Sequence, residues 1–362
     1  MFRKLLCATS LLLTLSGAFA QTNDGWVFTD KRRSFLASDF FDDAERGPDR
    51  LRIVFWNVEN FFDTLDHPAK VDEAFTPQGE NKWNGWRFDR KLERVSKTLI
   101  ASGGWEPPGI IGLCEIENRA VLQYIADSGM LASIGYEIVH KESADRRGID
   151  VGLLYRPEKF ELEGHQTIRP SFPGDPERTT RDVLHVWGRL RNGQRLHVMV
   201  NHWPSRWSGM LNTEPNRIHM AGLVRNLSDS IVQADPGAAI VITGDFNDEP
   251  ENESMAEVLC GPGSPLTNLM EDIQYKGGSH YFAGSWGVLD HFVVSNALLT
   301  EQGPSEALPG AKVRYGRAQV LDFRFLLKAD GMGTLVPHRT YQGPMYVGGF
   351  SDHLPIMIDL DL

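Results

Sequence analysis

The chain reads as an α/β protein of two packed β-sheets flanked by helices, and three observations predict this. Short strand-like runs recur at 51–56, 109–114, 136–140, 149–155, 195–201, 238–243, 288–294 and 354–360. Helical stretches at 88–101, 118–128 and 216–233 lie among them. Some of the strands, such as Ala238-Ala239-Ile240-Val241-Ile242, are apolar throughout, as strands covered on both faces are.

The elements follow in chain order. Arg3 and Lys4 precede an apolar run from Leu5 to about Leu15, and Ala18-Phe19-Ala20 has the small-x-small form of a cleavage site, so 1–20 reads as a signal peptide. The run is too short for a span of ~20 residues. Cys7 lies well before the cleavage point. The expectation is an exported protein, periplasmic or secreted, beginning near Gln21. Residues 21–50 are a polar, mixed lead-in, and 51–362 form the domain. No later segment is apolar enough to cross a membrane.

The formal charge of −11 becomes −13 without Arg3 and Lys4. That argues against a tight, sequence-independent grip on duplex DNA, which rests on Lys and Arg contacts to phosphate. It leaves room for an enzyme that meets an anionic substrate at one metal-neutralised point. Cys114 ends the apolar run Ile110-Ile111-Gly112-Leu113-Cys114 and reads as a small buried residue rather than half of a disulfide with Cys260.

Met220, Leu223, Val224, Leu227 and Ile231 fall on one face of the 216–233 helix. Asp127-Ser128-Gly129 is a stop for the helix before it. Residues 63–87 and 203–215 read as loops. Their Trp83, Trp86, Trp203 and Trp207 could shape substrate access, lie on a lipid surface, stack on bases or fill the loop interior. The acids from Asp63 to Glu73 lack the spacing of a 12-residue calcium loop.

Polar groups cluster just beyond the strands. Asn57-Val58-Glu59-Asn60 follows the first strand and Glu115-Ile116-Glu117-Asn118 the second. Glu115 at a strand end suits a hard cation; it could equally be an N-terminal acid for the 118–128 helix. His202 follows the strand at 195–201, and Arg206 beyond it has the planar fork that clamps a phosphate oxygen. Asp245 and Asn247 follow the most apolar strand; in isolation Gly-Asp-Phe-Asn-Asp would be a turn. Asp290-His291 and Asp352-His353 are acid–imidazole pairs, in which a carboxylate can aim a ring at a water or a phosphate. There is no Gly-x-Ser-x-Gly elbow, Cys-x-x-Cys or His-Glu-x-x-His pattern.

Taken together, Phe55-Trp56-Asn57-Val58-Glu59-Asn60, Leu113-Cys114-Glu115, Asn201-His202, Gly244-Asp245-Phe246-Asn247, Leu289-Asp290 and Ser351-Asp352-His353 resemble, in order, the motifs of the endonuclease/exonuclease/phosphatase superfamily, which includes deoxyribonuclease I. The stretches 147–156 and 201–206 look like an exported bacterial branch. The resemblance implies a four-layer α/β sandwich of two mixed sheets flanked by helices. It implies that Asn57, Glu115 and Asp352 hold a divalent metal, Mg²⁺ with Mn²⁺ or Ca²⁺ as alternatives, and that Glu59 is a possible second acid. It makes His353 the catalytic histidine oriented by Asp290. Asp245 and Asn247 would position the attacking water, and His202 would donate to a phosphate oxygen. His291 is left as structural. Arg147 joins Arg206 as a candidate for substrate phosphate, with Asp150 as its orienting acid or as a neighbour of the site. The expected activity is phosphodiester hydrolysis, foremost of DNA or RNA, by a monomer with no stable protein partner. The alternatives are a sphingomyelinase-like phosphoesterase on a phospholipid, an enzyme for a small phosphate ester, or a non-catalytic module on the same fold.

Overall fold

The computed structural model describes residues 19–22, 25–28, 41–207, 209–271, 273, 277–299 and 310–362. Most of the expected signal peptide lies outside them. Two short strands, β1 (Phe19–Thr22) and β2 (Gly25–Phe28), pair as an antiparallel hairpin in a unit separate from the rest.

The main unit carries, in order, β3 (Arg50–Phe61), α1 (Gly85–Gly103), β4 (Ile110–Ile116), α2 (Arg119–Ala126), β5 (Glu137–His140), β6 (Asp150–Tyr155), β7 (Phe160–Ile168), β8 (Val183–Leu190), β9 (Arg195–His202), α3 (Met210–Ala234), β10 (Ala239–Asp245) and β11 (Leu266–Asn268). It continues with β12 (His280–Phe282), β13 (Ser285–Gly287), β14 (Asp290–Ser295), β15 (Lys312–Val313), β16 (Gln319–Val320), β17 (Leu327–Ala329), β18 (Leu335–Pro337), β19 (Tyr341–Gln342), β20 (Met345–Tyr346) and β21 (Ile356–Asp361). One sheet runs β15-β21-β3-β4-β6-β5, with β16 also on β21; the other runs β11-β14-β10-β9-β8-β7. Both are mixed: β3 with β4 and β9 with β10 are parallel, and the other pairings are antiparallel. Every expected strand is present. β7 and β8 are additional, as are the small hairpins β12–β13, β17–β18 and β19–β20.

Three apolar clusters define four layers. Leu51, Ile53, Phe55, Val198, Val200, Val241, Phe292 and Ile358 fill the seam between the sheets. The alternate residues of β3, Trp56 and Val58, turn outward and are covered by Val95 and Leu99 of α1 and Val121 and Ile125 of α2. On the far side Met220 and Val224 of α3 cover Ile240 and Ile242, with Leu223, Leu227 and Ile231 partly buried beside them. This is the α/β sandwich expected.

Helix boundaries follow local chemistry. α1 begins at Gly85, where the Asn84 side chain accepts from Arg87 N at 3.1 Å. α2 is capped by Asn118, which accepts from Val121 N at 3.0 Å, and stops at Asp127. α3 starts at Met210, inside the stretch read as loop, because Pro215 is accommodated near its start rather than marking its boundary. Residues 41–50 are held by contacts of their own: Arg46 is buried and Asp42 pairs with Arg50 at 2.8 Å. Cys114 is buried and, like Cys260, unpaired. No helix among the described residues is long and apolar enough to cross a membrane.

One buried ion pair ties β3 to β21. Arg52 donates from both Nε and Nη2 to Asp359, each at 2.8 Å, and from Nη1 to the Ser102 carbonyl of α1 at 2.9 Å. Removing the acid strands a fully buried guanidinium, so Asp359→Ala is expected to lower stability by roughly 3–5 kcal/mol in denaturant unfolding. Buried neutral histidines set a pH dependence. His291 is fully enclosed between Asn268 and the Asp248 carbonyl, and burial pushes its pKa down to about 4. The unfolded chain takes up that proton near 6.5, the folded chain not until about 4. Stability from this residue is therefore complete above the unfolded value and falls as pH drops from about 6.5 towards about 4, a slope that His291→Gln would flatten in pH-resolved unfolding.

Candidate active site

The parallel pairs β3/β4 and β9/β10 end at one rim, and β14 and β21, antiparallel to their neighbours, enter from that same rim. Asp245 lies opposite His202 on one side and Asp290 on the other, so the three occupy one row of the sheet. Gly244 permits this: a Cβ there would lie 2.4 Å from the Asn201 carbonyl oxygen. The backbone bends sharply at the rim. Glu59, Asn60, Glu115 and Asn247 have φ of 53°, 48°, 61° and 53°, and the β3–β4 and β4–β6 registers shift at these bends. Such bulges re-aim side chains.

The side chains meet across the seam. His353 Nδ1 lies 2.7 Å from Asp290 Oδ2, and its Nε2 lies 3.8 Å from Asp245 Oδ2. His202 Nε2 is 3.7 Å from that same oxygen and 3.8 Å from Glu115 Oε1. Asn57 donates from Nδ2 to Asp245 Oδ2 at 3.0 Å, and Asn247 N donates to Oδ1 at 2.9 Å. Asn247 Nδ2 is tied to the Trp203 carbonyl at 3.1 Å. Glu115 Oε2 accepts from Asn60 N at 2.7 Å, so its carboxylate serves the rim rather than the first turn of α2. A second layer fixes His353: Trp56 Nε1 donates to its carbonyl at 2.9 Å, and Ser351 Oγ accepts from His353 N at 3.1 Å while donating to Asn57 O at 2.7 Å.

Electrostatics separate the two histidines. Burial alone would lower the pKa of His353, but the charges of Asp290 and Asp245 and the Asp290 hydrogen bond outweigh it and hold it well above the usual value. His202 is pushed well below, by burial and then by Arg181 and Arg147. The Asp245 carboxyl rises to about 7, through burial and the charge of Asp290, opposed by His353. One imidazolium donor, one neutral imidazole and one carboxyl poised near neutrality form an acid–base set.

Oxygen donors crowd the same place. Asn57, Glu59, Glu115 and Asp352 lie around the rim; the charges of Glu59, Asp352 and Glu115 all act on the buried Lys91, which donates to Thr340 Oγ1 and Phe350 O at 2.6 Å. Glu59 is raised to about 7 by burial and then by Asp352. A divalent cation would relieve that crowding, so the donor set fits an oxygen-preferring ion. Among the described residues, three groups of three ligand atoms lie within 4.8 Å of one another: His280–Asp352–His353, Asp245–Asp290–His353 and His140–Glu142–Asp150; Glu115 belongs to none of them. Asn57 has both ends of its amide engaged, with Oδ1 accepting from Glu59 N at 2.9 Å.

Other expectations are revised. Arg206 is not free for substrate in this structure: it donates to Asn247 O at 2.6 Å, Asn252 Oδ1 at 2.8 Å and Asp248 Oδ1 at 3.2 Å, bracing the loop after β10. Asp150 does not orient Arg147. It accepts from Ser143 N at 3.0 Å and faces His140 at 3.5 Å, whereas Arg147 sits 3.5 Å from Asp145. The four tryptophans form no common platform. Trp83 and Trp203 are fully buried, bonded to Phe62 O and Asn201 Oδ1, and only Trp86 and Trp207 are exposed. Asp63 and Asp72 are spent on Leu65 N, Asn118 and His67 N, and no three ligand atoms converge among the described residues there.

Several neighbours of the site carried no sequence signal. Arg181 is buried, donates to the Trp203 carbonyl and pairs with Asp145 at 3.4 Å. Arg339 bonds Asp352 at 2.9 Å, and the His280 ring lies 4.5 Å from that of His353. His280 follows a turn-rich stretch, and Arg181 precedes an unforeseen strand; only the fold brings them in.

Residues 52–362 match the endonuclease/exonuclease/phosphatase family, and the chain belongs to it. It is a phosphoester-hydrolysing enzyme. No curated protein matches the sequence. Among solved structures it is similar to D. rerio TDP2 complexed with single-strand DNA product, at 15% identity over 86% of this chain and 99% of that one, TM-score 0.53. It is similar to the human Nocturnin catalytic domain at 16% over 86% and 94%, TM-score 0.51. The mannosyl-6-phosphatase of Bacteroides thetaiotaomicron VPI-5482 is 15% identical over 86% and 100%, TM-score 0.51. These likenesses concern the fold.

The Asp290–His353 contact makes a direct prediction. Its attraction favours the charged imidazole, so Asp290→Asn is expected to lower the His353 titration midpoint towards about 6.5. Proton-detected histidine NMR reads this, and an unmoved midpoint would refute the assignment.

Proposed function

We propose that the protein is an exported, Mg²⁺-dependent phosphodiesterase, foremost a nuclease hydrolysing DNA or RNA. The observation that carries this reading is the acid–imidazole–acid line Asp290–His353–Asp245, with separations of 2.7 and 3.8 Å at the mouth of the seam. The cation, held by Glu115 and Asp352 with Asn57 and Glu59 beside them, would neutralise phosphate charge. Mn²⁺ or Ca²⁺ would suit the same oxygens.

The protein's own groups do the rest. Asp290 keeps His353 charged and aimed, so that Nε2–H donates to a non-bridging phosphate oxygen as negative charge builds. Asp245, fixed by Asn57 and Asn247, takes the proton of the attacking water. His202, held neutral, supplies a further hydrogen bond to the phosphoryl group. The N-terminal charged-apolar-small pattern supports export. The alternative, a phospholipid or small-ester phosphoesterase, has weaker support, since two of the four tryptophans that could have met a lipid surface are core residues.

The test is residues 21–362 on plasmid DNA, RNA and sphingomyelin in parallel, with Mg²⁺ or chelator. Nucleic-acid cleavage is expected, abolished by chelator and reduced by ~10²–10⁴ in His353→Ala. Sphingomyelin turnover with intact nucleic acid would transfer the assignment to lipid.

A further inference from the structure

A cavity of about 310 Å³ opens beside the site. Its walls come from three hairpins. Tyr281 and Phe282 belong to β12, Lys328 to β17, His338 and Arg339 to the segment leading into β19–β20, and Gln342 to β19 itself; Asp352 also lines it. The volume lies at the lower end of the range for small-molecule pockets.

Phe282 connects this lining to the catalytic imidazole through His280, which does not itself line the cavity. The His280 ring lies 4.5 Å from that of His353, and Phe282 stacks beyond His280 at 6.3 Å with an interplanar angle of 15°. These rings form a ladder leading outward from the catalytic imidazole. Phe282, at its outer end, is 64% exposed and lines the cavity. It is held firmly: Ala283 and Gly284 have φ of 49° and 89°, the two left-handed residues of a tight hairpin turn that pairs Phe282 with Ser285. The polar groups are complementary. Asp330 is turned to Met332 N and Thr334 N of its own loop, and Asp352 is paired with Arg339. Lys328, exposed on β17, is the lining cation left to meet an anion.

An exposed ring beside a cation is how proteins hold an unpaired base and its phosphate. We infer that this cavity seats one unpaired base of a single-stranded nucleic acid next to the scissile phosphate, stacked on Phe282, with the neighbouring phosphate on Lys328. A base still paired in a duplex cannot enter a pocket walled by three hairpins, and the acidic chain offers no excess of positive charge for tracking duplex phosphates. The inference rests on the nuclease reading above and specifies the strand state of its substrate.

The experiment compares a single-stranded oligonucleotide, the same sequence as blunt duplex, and bis(p-nitrophenyl) phosphate, with wild type, Phe282→Ala and Lys328→Ala in Mg²⁺. A companion measurement titrates a 2-aminopurine oligonucleotide with wild-type protein in chelator, where quenching reports stacking. Expected are preference for the single strand, 2-aminopurine quenching, and a ~5–100-fold fall in the Phe282→Ala ratio of oligonucleotide to bis(p-nitrophenyl) phosphate kcat/KM. Equal cleavage of single strand and duplex, or an unchanged ratio with no quenching, would overturn the inference while turnover of the small diester leaves the phosphodiesterase reading intact. Failure to cleave any diester would overturn that reading itself.

Discussion

The hydrogen bond between His353 and Asp290 joins two sheets. Asp290 opens β14 in one sheet, and His353 lies three residues before the start of β21 in the other. The Asn57–Asp245 bond crosses the same seam from β3 to β10. The site is thus a consequence of how the sheets dock, and the apolar contacts of Phe55, Val200, Val241 and Phe292 hold its polar groups in range. The Ser351 hydroxyl, linking the backbone of Asn57 to that of His353, adds a local staple at the point where the seam opens. Rigid support of this kind is what positioning chemistry needs.

The two imidazoles illustrate how one fold produces opposite protonation states. Both are buried, and burial acts on both in the same direction. His353 has a carboxylate on one nitrogen and a second within 3.8 Å of the other, and these prevail. His202 has Glu115 and Asp245 no nearer than 3.7 Å and feels Arg181 and Arg147, so burial prevails. The buried Arg181 was not visible in the sequence, yet it helps set the state of a residue that was.

The strands of the seam were legible because burial on both faces leaves a continuous apolar run, as in β10. β7 was not, because Phe-Glu-Leu-Glu-Gly-His-Gln-Thr-Ile belongs to an edge strand whose residues are largely part-exposed, and polar alternation there is weak against the background. The site residues that stood out, Glu115, Asp245 and Asp352, each adjoin such a run. Those that did not, Lys91, Arg181, His280 and Arg339, come from a helix, loops or a short hairpin, and converge only through long-range packing. Trp83 and Trp203 belong to loop segments and fill the core, as the loop-interior reading of these tryptophans has it, each with its indole N–H satisfied inside.

Four non-glycine residues at the rim, Glu59, Asn60, Glu115 and Asn247, hold left-handed backbone. Each such residue stores on the order of 1 kcal/mol that the surrounding sheet must restrain. Among the described residues only two other non-glycine residues, Lys82 and Ala283, share that conformation, so most of it is gathered where the chemistry sits. The rim is therefore the part of the molecule with most to gain from letting go, and mild denaturant should silence the enzyme while its sheets are still intact.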